Sequence, residues 1–145
     1  MNNIVSTETA IRLRDAGFPQ PEFEFGQLWE SESGRNLAFV GTAQFVLLKQ
    51  QYHLKEIVFR PTAGDILRAI YNHFASMPGF SVDIRLSPTE NGFYVDVFEA
   101  LPFDTRNKVW EFHENAAEAA ALAFLAAKSA DKVQRPDDFD EYGEI

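Results

Sequence analysis

Apolar positions along this chain follow two periods, and the period changes several times. In TETAIRLRDA, Ala10, Ile11 and Leu13 recur at helical spacing. Ser6 precedes them, where a side-chain oxygen accepts from first-turn amides, and Glu8 stands where the positive end of the helix dipole favours an anion. Gly17 supplies a left-handed stop and Pro19 blocks resumption. The pattern predicts a helix that begins near Ser6 and ends before Gly17.

The next stretch, PQPEFEFGQLWESESGRNLAFVG, reads as a linker followed by a hairpin. Gln27 to Glu30 is one strand, SESGR is the turn with Gly34 free to take positive φ, and Leu37 to Val40 returns. Val46, Leu47 and Leu48 fit a buried strand or part of a helix equally well, because a short apolar run has no decisive period. Ile57 to Phe59 reads as a short strand. Ala63, Ile66, Leu67, Ile70 and Phe74 then make one apolar stripe, which predicts a helix from Thr62 to about Ser76.

After Met77-Pro78-Gly79 the period becomes two. Phe80, Val82, Ile84 and Leu86 alternate with Ser81, Asp83, Arg85 and Ser87, and Phe93, Val95 and Val97 continue the alternation beyond the turn PTENG with its Asn91-Gly92 signal. These runs predict a hairpin. Val109 to Phe112 is a further strand candidate. Asn115 and Glu118 have the spacing of a capping box ahead of AAEAAALAFLAAK, which is apolar on nearly every side. A helix of that kind is buried or is met by a partner.

Hairpins outnumber β-α-β crossovers, which predicts an α+β fold: a mostly antiparallel sheet from two hairpins with three helices packed on it. The order helix, hairpin, helix, hairpin hints at two related halves, although their sequences do not repeat. The length of 145 residues fits one domain, expected over residues 1–132, with 133–145 as an acidic, flexible tail.

Composition narrows the chemistry. The absence of cysteine removes disulfides, thiol catalysis and cysteine-based zinc sites. Net charge is −9, and Pro136 to Ile145 contributes five acids and no base, leaving 13 basic and 17 acidic residues before it. An acidic body argues against a grip on phosphate backbones, so direct nucleic-acid binding is not expected. An acidic mimic of nucleic acid that competes for a basic partner stays open. No apolar run approaches bilayer length, and the N-terminus lacks the basic region and long apolar run of a signal peptide, so neither a membrane span nor a signal peptide is expected.

Three phrases occur together in a telling order: IVSTETAIRLRDAGFPQPEF, PTAGDIL and ENAAEAAALAFL. They resemble a group of small phage, prophage and mobile-element proteins, of Bacteroidetes especially. That group carries an S-x-E-T-A helix, a P-T-A-x-D-I-L helix start and an N-P-A-E-A-A-A helix start. The resemblance spans most of the body and excludes the acidic tail, and Ala116 stands where proline is frequent. It implies a bacterial cytoplasm or a phage-infected cell. The group brings no assigned activity and hence no catalytic residues or cofactor.

Candidate chemistry is sparse. At RPTAGDIL, the amides of Thr62, Ala63 and Gly64 with the cation of Arg60 would suit a phosphate. The P-loop lysine pattern is absent, Asp65 would repel an anion, and Thr62 with Asp65 is more simply a reciprocal helix cap. His53, His73 and His113 form no metal-binding pair in sequence, although Glu111 and His113 share a strand face. Asp83 and Asp96 lie on opposite hairpin arms with Arg85 nearby, and a solvent-facing ion pair is the simpler account than acid/base work. No serine elbow, dinucleotide fingerprint or complete catalytic set occurs.

The leading expectation is a non-enzymatic protein-interaction module, acting on a protein partner or by self-association. Trp29, Tyr94, Trp110 and Phe124 are its candidate contact residues, on the hairpins and the alanine-rich helix. The alternative is a binder of nucleotides, phosphates or other small molecules, or an enzyme, with a pocket near the Thr62 helix start. Arg60, Thr62, Asp65, Arg85 and His113 would line that pocket.

Overall fold

A computed structural model describes residues 3–75, 82–101 and 104–133. The acidic tail expected after residue 132 lies outside the described residues, apart from Val133, as does Met77-Pro78-Gly79. The fold is α+β. Its elements run α1 (Thr7–Asp15), β1 (Leu28–Ser31), β2 (Leu37–Phe39), α2 (Ala43–Gln51), β3 (Ile57–Phe59), α3 (Ala63–Ala75), β4 (Val82–Pro88), β5 (Phe93–Leu101), β6 (Asp104–His113) and α4 (Ala116–Val133). No helix among the described residues is long and apolar enough to cross a membrane.

Two features add detail to the expected antiparallel architecture. The strands form two separate three-stranded antiparallel sheets, ordered β2-β1-β3 and β4-β5-β6. The first places its earliest strand in the centre and the second is a simple meander, so the two halves are not copies of one plan. There is also a fourth helix, α2, where the run Val46-Leu47-Leu48 was ambiguous. Thr42 caps it, its hydroxyl oxygen accepting from the Phe45 amide at 3.3 Å, and only Phe45 and Leu48 are buried.

The starts of the other helices follow their sequences. Ser6 accepts from the Thr9 amide at 3.2 Å, and Gly17 stops α1 with φ of 99°. Thr62 and Asp65 cap α3 reciprocally, each side chain accepting from the other's backbone amide at 3.0 and 3.2 Å. At α4, Asn115 accepts from the Glu118 amide at 3.0 Å, but the Glu118 carboxylate does not complete the box. It reaches α1, accepting from the Ser6 amide at 2.8 Å and the Thr9 hydroxyl at 2.7 Å. Two helix starts widely separated in sequence are thereby tied together.

The predicted hairpin is β4–β5, and its turn falls within PTENG as expected. Pro88 pairs with Phe93, leaving residues 89–92 as the connection, and the Thr89 hydroxyl accepts from the Asn91 amide at 3.2 Å. The strand expected at Val109 to Phe112 extends over Asp104–His113 and makes the sheet three-stranded. One face of this sheet carries Val95, Val97 and Val109 against α4, which also packs on α3 and α1. Seven alanines of α4 and Phe124 are buried there, and Phe18 meets Phe124 edge-on at 5.2 Å. The all-round apolar character of α4 thus serves the chain's own core, because alanine lets several elements approach one helix.

Candidate functional site

Arg60 is the natural starting point, since its partner decides whether the α3 start is an anion site. Trp29 pairs with Phe59 and Glu30 with Val58, so alternation puts Arg60, two residues after Val58, on the face that carries Glu30. Arg60 Nη1 donates to Glu30 Oε1 at 3.0 Å and Arg60 Nε donates to the Val5 carbonyl at 2.9 Å. The Thr7 hydroxyl donates to the same Glu30 oxygen. Both side chains are largely withdrawn from water, at 13% and 7% exposure. Arg60 is therefore an internal counter-ion that pins the N-terminal segment to the first sheet.

Three amides at the α3 start are engaged as well. Thr62 N–H donates to Asp65, Asp65 N–H to the Thr62 hydroxyl, and Ala63 N–H to the Asn3 carbonyl at 3.2 Å. A cavity of about 290 Å³ does lie here, lined by residues that include Phe25, Phe59, Arg60, Thr62 and Asp65. Its cation and the amides of Thr62, Ala63 and Asp65 already have partners in the protein, and Asp65 adds a carboxylate. Such a lining repels a phosphate.

Arg85 and His113 do not join that cavity. His113 ends β6, and its Nδ1 accepts from the Asn115 amide at 3.0 Å, which fixes the turn into α4. His53 precedes a 3₁₀ turn at Leu54–Glu56 and His73 belongs to α3, so the three histidines sit on separate elements. Among the described residues, no three His, Asp or Glu side chains gather as metal ligands would.

A second cavity, of about 370 Å³, is mainly apolar and is lined by Phe23, Trp29, Leu54 and Ile57 with Arg14 at one side. Burial alone would lower the pKa of Arg14, but its hydrogen bond and charge contact with Glu32, assisted by Asp15, leave it raised. Trp29 belongs to the core, at 4% exposure, with Phe23 edge-on at 4.9 Å and its indole N–H donated to Gln27 at 3.0 Å. Phe124 is likewise buried, at 2%. Neither of these two candidate contact residues is exposed, because each belongs to the buried core.

Tyr94 and Trp110 are different. Along β5, Val95 and Val97 point to the core, so Tyr94, Asp96 and Phe98 take the opposite face. The register sets Trp110 opposite Asp96, and Phe112 opposite Tyr94. Across β4, Arg85 stands opposite Asp96 and Asp83 opposite Phe98. Trp110 is 54% exposed and Phe112 40%, and the Tyr94 and Trp110 rings lie 5.7 Å apart at 30°. The Arg85 guanidinium carbon is 5.3 Å from the Phe98 ring centroid. This face is an aromatic platform edged by charge. Alternation marked its position in the sequence, while Phe112, Phe98 and Asp96 gain their meaning only from the register.

No protein-family model matches the chain, and neither a curated protein nor a solved structure is similar to it.

Proposed function

We propose that the chain is a non-enzymatic protein-interaction module that works through the open face of its β4-β5-β6 sheet. The observation that carries this reading is the Tyr94–Trp110 pair, an exposed indole beside a half-buried phenol ring on the face opposite the valines that pack on α4. Exposed Trp and Tyr are the side chains that most often anchor protein interfaces, because they bury much area at little entropy cost. The resemblance to phage and mobile-element proteins supports a role in the cytoplasm of a bacterial cell. Arg60 bears on the alternative: with its charge spent on Glu30, a phosphate-binding role at the α3 start loses its cation.

The test is affinity capture from bacterial lysate with the wild-type chain and Trp110→Ala as parallel baits. The reading expects a protein that the wild type retains and Trp110→Ala loses, while both baits melt at the same temperature. Equal capture by the two baits, or none by either, contradicts it.

A further inference from the structure

We infer that this face receives an arginine-bearing basic segment of a partner protein, with a guanidinium stacked on Tyr94 and Trp110 beside the Asp96 carboxylate. The inference rests on the interaction reading above and names the chemistry of the partner. Three observations support it.

The first is Asp96 itself. It is half-buried, stands opposite Trp110 on one side and Arg85 on the other, and makes no side-chain hydrogen bond or ion pair among the described residues. A carboxylate partly desolvated beside apolar rings gains most from an incoming cation. The second is Arg85. Its guanidinium already lies over the Phe98 ring on this same face, so the chain itself displays the stacking proposed for the partner. The third is charge. The body before Pro136 holds 13 basic and 17 acidic residues, and this face carries Asp83 and Asp96 against Arg85, a balance that favours a cationic segment over a polyanion despite the aromatic rings. Arginine is favoured over lysine because its planar fork stacks on a ring and meets a carboxylate at the same time.

The experiment is calorimetric titration of the intact chain with a short Gly-Ser peptide bearing several arginines, and with its lysine, glutamine and leucine counterparts. The arginine peptide is expected to bind, the lysine peptide more weakly, and the other two not at all. Trp110→Ala and Asp96→Asn should each weaken the arginine peptide about 5- to 10-fold. Added salt should weaken it further. Thermal melts establish that both variants are folded.

Equal binding of the leucine peptide, no effect of Asp96→Asn, or no binding of the arginine peptide overturns the inference. The interaction module survives those outcomes if Trp110→Ala still abolishes capture of a protein partner. A dimer that Trp110→Ala dissociates shows a second copy on this face and also overturns it. So does a single-stranded oligonucleotide whose binding requires Trp110.

Discussion

Glu30 accepts a hydrogen bond from Arg60 at 3.0 Å in a setting where both side chains are nearly sealed from water. Removing one partner strands the other's charge. Arg60→Ala is expected to destabilise the fold by about 3–5 kcal/mol, read from urea denaturation. The double replacement Glu30→Leu with Arg60→Met should recover most of that loss, since apolar side chains of similar volume carry no desolvation cost. Full stability of Arg60→Ala alone would mean that the pair holds nothing together.

Glu118 ties the start of α4 to the start of α1 through the Ser6 amide and the Thr9 hydroxyl. Glu118→Ala is expected to cost about 1–3 kcal/mol and to speed hydrogen exchange at the Ser6 amide. Exchange at Ser6 unchanged from wild type would contradict the tie.

Thr62 and Asp65 cap α3 reciprocally. Thr62→Ala should cost about 1 kcal/mol in chemical denaturation. Inorganic phosphate should leave the melting temperature of the wild type unmoved, because only a ligand of the native state raises it. A dose-dependent rise would restore the binding-pocket reading.

Gly92 leads into β5 where the chain passes the end of β6. A Cβ there would stand 2.7 Å from the His113 carbonyl oxygen and 2.9 Å from Glu114 Cα. Both are backbone atoms and cannot swing aside. Gly92→Ala is expected to cost about 1–3 kcal/mol by thermal or chemical denaturation.

The local features of this fold were legible in the sequence, and the long-range ones were not. Ser6, Thr62 with Asp65, and Asn115 announced three helix starts, since a cap spans only a few residues. The alternation around Asp83 and Tyr94 announced the hairpin and its open face. By contrast, α2 was hidden because Val46 and Leu47 are exposed, 53% and 61%, so no single apolar face marks it. All four residues of β1 are buried, including Glu30, so that strand shows no alternation. The partner of Arg60 lies 30 positions away, and the partners of Glu118 more than 100. Register and packing select them, and no local pattern encodes either.

The two tryptophans provide the most direct test. Trp29 is sealed in the core beside the apolar cavity and Trp110 stands on the open face, so their indole N–H signals report on two separate surfaces. The measurement is the pair of indole signals of the isotope-labelled chain, followed as a captured protein partner is added. The Trp110 signal is expected to move while Trp29 stays in place. Movement of Trp29 with Trp110 unchanged would contradict this expectation and place the contact at the cavity over the first sheet.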